Sequence, residues 1–464
     1  MTNPRIRSSA YTFPSFRLHA ARLLCLLLIL VCQGCASVYK PKNQAIAAID
    51  HGGGYRFTLG SAPGGEHVVI LTFSGGGTRA AALSYGVLRE LRNTRIDSQG
   101  RRVRLLDEVD AISSVSGGSF TAAYYGLFGE RVFEDYERAF LRQSVQSALI
   151  RKLFDPEYWW RSLFTAFDRT EMAVEYYDSQ IFRGKTFGDM RRGAAPFVEI
   201  NATDLGGGQR FSFTQGNFDL ICSDLDDFSV ARAVTASSAV PVAFPPVVLE
   251  NHGGSCDNRE EWRLRRLDGM KELSSRQRGL DNRLRSYLDR AQRPYIHLID
   301  GGISGNLGLR ALLDHLDAAG PGLFIPDPAK PPKDVLVISV NAEVKPDRGI
   351  DLSAEKPSVI DTIDAFSSAQ IALYNQDTRA LMARELREAE AELRRDGHDI
   401  RFYLVEVSFG SLREKALKSL FNNLPTSLEL PDGEIDLLIG TGGVLLRLSP
   451  EYRAFLEANA GKGP

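Results

Sequence analysis

The sequence predicts an α/β fold, a mostly parallel sheet flanked by helices, on two observations. A strand–turn–helix unit recurs along the chain, and each short motif able to carry chemistry follows an apolar, strand-like run. Val68 to Phe73 is continuously apolar and bounded by turn residues, as a buried parallel strand would be. Gly75-Gly76-Gly77 follows, then Ala80 to Leu91 with Ala81, Tyr85, Leu88 and Leu91 at helical spacing. The unit repeats with Leu105 to Ser114 as strand and Ser119 to Phe128 as helix, and Phe197 to Asn201, Tyr295 to Ile299 and Val335 to Val340 are expected as later strands. Such alternation argues for helices on both faces of a parallel sheet, with sites at the carboxyl edge of its strands.

Two regions interrupt the pattern. Residues 133–187 are helical and aromatic, with Phe154, Tyr158, Trp159, Trp160 and Phe164 among them; a lip at a membrane interface is one reading, ordinary core the commoner one. Residues 251–293 carry ten arginines and read as a charged helical insertion, either solvated or attracted to anionic headgroups. Residues 359–464 are expected to be mainly helical and to close the sheet.

The amino end has the form of a signal peptide. Arg5, Arg7, Arg17 and Arg22 come with no acid before Asp50, and the apolar run Leu23 to Cys32 falls short of the about 20 residues that span a bilayer. Gly34-Cys35 resembles a bacterial lipobox, which implies lipidation of Cys35 and a cell-envelope location. Ala36 after it, rather than aspartate, favours the outer membrane. Cys32 departs from that pattern, so plain secretion is the alternative. Residues 36–66 then read as a polar, Gly-rich tether, and 67–464 as the body. Cys222 and Cys256 are the only cysteines beyond the leader. They have neither the count nor the spacing of a zinc site, so no metal is expected; two free thiols are slightly preferred to a disulfide. A formal charge of −2 and no sustained basic stripe argue against nucleic acid as partner, while 43% hydrophobic content is ample for a large core.

Three motifs then need a common explanation. Ser116, in Ser114-Val115-Ser116-Gly117-Gly118, ends a strand and begins a helix in the manner of a nucleophile elbow, although Ser114 stands where glycine is usual. Gly75, Gly76 and Gly77 can turn successive backbone N–H groups toward one point at a helix start, a ready oxyanion hole. Arg79 adds positive charge there, to hold an anion such as phosphate or to support the turn. The same loop matches the weak dinucleotide pattern Gly-x-Gly-x-x-Ala with Asp97 downstream, a reading ranked below the oxyanion hole. Asp300, before Gly301-Gly302, would emerge from a strand end, either as a simple cap or as a base.

Together with Asn201-Ala202-Thr203-Asp204, and with Ala236-Ser237-Ser238-Ala239-Val240-Pro241 followed by Phe244-Pro245-Pro246, these motifs resemble the patatin-like phospholipase family from about Val68 onward. The resemblance implies a three-layer architecture with Ser116 as nucleophile, Asp300 as general base of a Ser-Asp dyad, and the amides of Gly76 and Gly77 as main oxyanion donors. It implies no cofactor, no metal and no histidine, and a phospholipid or other acyl-ester substrate met at a membrane surface. A histidine triad through His297, His315 or His398 is the rival mechanism. A non-catalytic lipid-binding or envelope-assembly lipoprotein is the rival function.

Overall fold

The computed structural model describes residues 39–59, 65–193, 196–344, 349–352 and 354–460. The leader and the expected lipidation site Cys35 lie outside the described residues. Two compact units are present: residues 154–167 with the first two described residues, and residues 41–153 with 168–460.

Eight strands form the main sheet: β1 (His67–Phe73), β2 (Val109–Val115), β3 (Phe197–Asp204), β4 (Gln209–Ser212), β5 (Val247–Glu250), β6 (Tyr295–Ile299), β7 (Asp334–Asn341) and β8 (Arg401–Ser408). Among the helices are α1 (Gly77–Asn93), α2 (Gly117–Phe128), α3 (Pro156–Phe164), α4 (Val230–Ser237), α5 (Gly302–Gly305), α6 (Leu309–Ala319), α7 (Val359–Arg395) and α8 (Asp432–Leu448). Strand order is β8-β7-β1-β2-β3-β6-β5, with β4 beside β3. The five strands from β8 to β3 are mutually parallel. β1, β2, β3 and β7 are buried along their whole length, β1 and β7 as near-continuous apolar runs, while β2 and β3 also bury polar residues such as Asp110, Glu199 and Asn201. The α/β class and the mostly parallel sheet are therefore as the sequence reads.

Four local expectations change. Leu105 to Glu108 is a 3₁₀ turn, and the strand starts at Val109. The carboxyl-terminal part contributes β8, a parallel edge strand, besides its helices. Its helix α8 covers α1 closely: a β-carbon on Gly86 would come 2.2 Å from the Ile439 carbonyl oxygen, and one on Gly442 would come 2.6 Å from that of Leu83. Third, β6 runs antiparallel to β3, pairing Leu298 with Asp204 and Ile299 with Thr203. Asp300 thus reaches the carboxyl edge of β2 and β3 from the opposite direction, not from the end of a parallel strand.

The fourth correction concerns the tether. Residues 43–57 are a strap packed on the body. Gln44–Ala45 pairs with Ser223–Asp224, Tyr55 is buried against Phe197 with ring centroids 4.6 Å apart, and Phe57 stacks on His315 at 3.9 Å. The Tyr55 hydroxyl accepts the Val198 N–H at 2.6 Å and Arg56 pairs with buried Asp219 at 2.7 Å. Aromatic side chains, invisible to a composition count dominated by glycine, give this segment its anchor points.

Near the strap, Cys222 and Cys256 are joined in a disulfide, against the slight preference for free thiols. The bridge closes a loop across 34 positions and ties the segment just before α4 to the charged insertion. Replacing both cysteines by serine is expected to lower stability by roughly 2–4 kcal/mol through the freed chain of the unfolded state, read as a fall in Tm. Non-reducing electrophoresis with thiol labelling checks the bond itself. The insertion's arginines are largely matched: Arg263 with Glu261, Arg276 with Asp317 and Glu385, Arg283 with Asp314, and Arg293 with Asp204. They build the insertion onto the body and leave little excess charge for a headgroup.

The aromatic region divides as well. Tyr136, Phe140, Tyr177, Phe182 and Phe187 are core. α3, capped by Asp155 with Pro156 at its first position, leaves Trp159, Trp160, Leu163 and Phe164 exposed. No helix among the described residues is long and apolar enough to cross a membrane.

Candidate active site

β2 ends at Val115, whose register partner on β3 is Asn201. The next residue, Ser116, has φ 48° and ψ −121°, a conformation disfavoured for any side chain but glycine, and α2 begins immediately after it. That sharp turn lifts the hydroxyl off the sheet edge. Two glycines make it possible: a β-carbon on Gly117 would lie 2.1 Å from the Gly77 carbonyl oxygen, and one on Gly118 would lie 2.6 Å from that of Ser74. The elbow and the glycine loop are thus packed backbone against backbone. Gly301 is constrained in the same way, since its β-carbon would meet the Asn201 carbonyl oxygen at 2.3 Å. These contacts draw the three motifs together.

The Ser116 hydroxyl donates to Asp300 Oδ2 at 2.8 Å, across 184 positions of sequence. Asp300 Oδ1 accepts the Gly302 N–H at 2.7 Å, which fixes the plane of the carboxyl. Both residues are buried, at 8% and 9% exposure, so a reacting group must reach them below the molecular surface. Burial raises the Asp300 pKa from its ordinary value to about 6, against the lowering effect of its bonds from Gly302 and Ser116. The carboxylate is therefore a better base than an exposed aspartate, while still ionised at neutral pH.

The glycine loop is selective about which amides it leaves open. The Gly75 N–H is spent on the Asn306 carbonyl at 3.0 Å, and the Thr78 N–H on that of Ser427 at 2.8 Å. Gly75 is therefore not an oxyanion donor, a correction to the three-glycine expectation. The N–H groups of Gly76 and Gly77, and that of Gly117 beside the serine, have no hydrogen-bond partner among the described residues. Positive φ values of 136° and 59° at Gly76 and Gly77 make the loop conformation one that other residues resist.

Arg79 takes the supporting role rather than the anion-holding one. Its guanidinium is buried and donates to the carbonyls of Ala342, Leu424 and Pro425 and to the Thr426 hydroxyl, at 2.6–3.2 Å. Burial lowers its pKa to about 10. With those donors engaged by the segments around 342 and 425, little is left for a phosphate.

Two residues of the site escaped the sequence reading as individuals. Ser237, the last residue of α4, accepts the Ser116 N–H at 2.8 Å, donates to the Asn201 carbonyl at 2.6 Å, and through its own carbonyl accepts the Gly301 N–H at 3.0 Å. It thus holds both the serine turn and the aspartate turn, and it keeps the Ser116 amide out of the oxyanion hole. Asn306 is the second: its carbonyl fixes Gly75, and its side-chain oxygen lies where a β-carbon on Gly75 would come within 2.3 Å. Ser237 has no sequence signature beyond its place in the block 236–241, and Asn306 lies in no motif block at all. Ser237→Ala leaves a buried N–H unpaired, a penalty of about 1–3 kcal/mol. The expected result is a kcat lowered roughly 10–100-fold with KM little changed, since misplacement rather than lost binding is the cause.

The rival readings find no geometry. His315 is bonded to Glu199 at 2.9 Å in a buried cluster with Arg210 and Asp314, His297 is exposed, and no histidine among the described residues bonds Ser116 or Asp300. Glu199 is pushed up by burial but more strongly down by His315 and Arg210, to about 2, so the cluster is ionic and structural. Asp97 lies beside His67 at the start of β1, whereas the glycine loop follows its end, so the two cannot hold one dinucleotide.

A serine held strained at a sheet edge, an aspartate on its hydroxyl and open amides beside it form an arrangement on an α/β scaffold that could support nucleophilic attack and hold a developing negative charge. The sequence profile of the family described as patatin-like phospholipase matches residues 71–313, just over half of the chain, and the chain belongs to that family. No curated protein sequence matches it. Among solved structures, human GIVD cytosolic phospholipase A2 is similar at 14% identity, TM-score 0.36, over 60% of this chain and 45% of that one. The same human enzyme in complex with methyl gamma-linolenyl fluorophosphonate aligns at 13% identity, TM-score 0.39, over 85% and 59%. The chain spans about half the length of these structures.

Proposed function

We propose that the protein is a serine acyl hydrolase of the phospholipase A or lysophospholipase type, acting on lipid acyl esters through a Ser116–Asp300 dyad. The observation that carries this reading is the 2.8 Å bond from the Ser116 hydroxyl to Asp300 in a recess beside unpaired amides. Asp300 takes the hydroxyl proton as the Ser116 oxygen attacks the ester carbonyl, and the oxyanion that forms is held by the N–H groups of Gly76 and Gly77. Collapse breaks the bond to the alcohol, which leaves with the proton from Asp300. A water molecule, deprotonated by the same carboxylate, then releases the fatty acid and restores the serine.

Membership of a phospholipase family favours a lipid substrate, and so do the apolar residues beside Asp300, where Val240, Val242 and Ile303 are exposed. The leader ending in Gly34-Cys35 supports a location in the cell envelope, at the outer membrane, and the Cys222–Cys256 disulfide accords with it. The test is labelling of Ser116 by a fluorophosphonate probe together with fatty-acid release from a panel of defined lipids. Wild-type protein is expected to be labelled and active and Ser116→Ala neither; a wild-type chain that does neither is a binding protein, and the proposal fails.

A further inference from the structure

Two uncharged stretches border the aspartate turn. No charged side chain occurs from Ala233 to Leu249 or from Ala365 to Gln376, in a chain that is 25% charged. The first stretch is tied to Asp300, whose N–H donates to the Ala239 carbonyl at 2.9 Å. It then turns back on itself through a bond from the Phe244 N–H to the Val240 carbonyl, with Val242 at the tip, 66% exposed. Val242 has φ 73°, a backbone state that a β-branched residue resists, and no burial compensates for it. The second stretch lies in α7, where Ile371 Cδ1 approaches Gly302 to 3.7 Å of its would-be β-carbon and Arg310 lies over the Tyr374 ring at 4.2 Å. That is the helix's inner face. Phe366 and Leu373 lie well round the helix from Ile371 at 100° per residue, and they are 65% and 62% exposed. An amphipathic helix turned to a core carries its apolar residues inside; here two large ones face out.

We propose that the Val240–Ala243 loop and the outward face of α7 are a docking surface for the zwitterionic surface of a phospholipid bilayer, seating the recess of Ser116 and Asp300 against its substrate. The surface deepens the lipid-hydrolase reading and rests on it for the choice of occupant. Absence of charge on both segments selects a neutral lipid surface over a polyanion or a charged protein face. Continuity with the Asp300–Gly302 turn places it where substrate must enter.

The test uses the full chain with Cys35→Ser in every protein, so that no acyl anchor contributes, and vesicles of diether phosphatidylcholine, which hold no acyl ester to cleave. In flotation, Phe366→Asp/Leu373→Asp is expected to bind at least tenfold more weakly than its parent, because large apolar side chains lose their burial. Leu448→Asp, an exposed apolar site on α8, is expected to bind like the parent. Hydrolysis of a soluble short-chain ester by the double variant should stay within twofold of the parent. Equal flotation of double variant and parent, a parent that does not float, or an equal loss in Leu448→Asp overturns the docking surface. So does loss of soluble-ester hydrolysis in the double variant alone, which would make α7 part of the reaction site. A parent that floats but cleaves no ester upholds the surface and sinks the hydrolase reading instead.

Discussion

Asp300→Asn is expected to abolish acyl-ester hydrolysis and at the same time to raise the melting temperature. The amide keeps the shape of the carboxyl but cannot take the Ser116 proton, and removing the base of a dyad eliminates most of the rate, roughly 10⁴-fold or more by analogy with other coupled catalytic groups. The gain in stability has a separate origin. Burial holds the Asp300 pKa near 6, above its ordinary 3.8, so the folded protein binds this proton more tightly than the unfolded chain. The associated stability is complete below pH 3.8 and is lost as pH rises through 6. At neutral pH the wild-type fold carries a penalty of up to about 3 kcal/mol that asparagine does not. Scanning calorimetry of both proteins between pH 4 and 8 should show the Tm difference growing with pH. The same pKa sets the acid limb of kcat/KM in the wild type near pH 6, since the base must be ionised to act. Ser116→Ala should match the loss of activity. A Tm difference independent of pH would place the charge elsewhere.

Gly117→Ala is expected to be as damaging, by a different route. Its β-carbon would lie 2.1 Å from the Gly77 carbonyl oxygen and 2.6 Å from the Gly77 nitrogen, and backbone cannot rotate away as a side chain can. The elbow and the oxyanion loop must separate, and overpacking a closed site of this kind destabilises by about 1–3 kcal/mol or more. Hydrolysis should fall by orders of magnitude even in the fraction that stays folded, because the unpaired amides and the serine no longer share one geometry. Gly440→Ala is the control: it meets nothing within 4 Å and should be nearly silent in both assays. Circular dichroism melts and single-turnover acylation with a fluorophosphonate separate the two effects.

What was legible in the sequence followed from local chemistry. Near-continuous apolar runs revealed the buried strands β1 and β7, because a doubly covered strand needs little else, and shorter apolar stretches revealed β2 and β3 despite the buried Asp110, Glu199 and Asn201 within them. Ser116 was legible because small neighbours and a strand–helix junction are local too. The direction of β6 was not, since Tyr295 to Ile299 reads the same whichever way its neighbours run. Ser237 and Asn306 were hidden for a related reason: their roles are bonds to backbone atoms 121 and 231 positions away, and a single serine or asparagine carries no trace of that. The closed donors of Gly75 and Arg79 belong to the same class. Sequence placed them at the site, but only tertiary contacts decide which hydrogens are already taken. The strap was misread because glycines around it suggested freedom, whereas Tyr55, Arg56 and Phe57 determine its path.

That strap sets a length scale. From Cys35 to Asn43, whose side chain bonds Ser223 and the Glu250 carbonyl, there are eight steps of chain, spanning at most about 29 Å when fully stretched. A catalyst held at Cys35 by an acyl anchor would be moored on a short leash, never diffusing far from the bilayer. Turnover there would be governed by how often the body tips its mouth toward the lipid, and lengthening the leash would change that orientation long before it changed the local concentration.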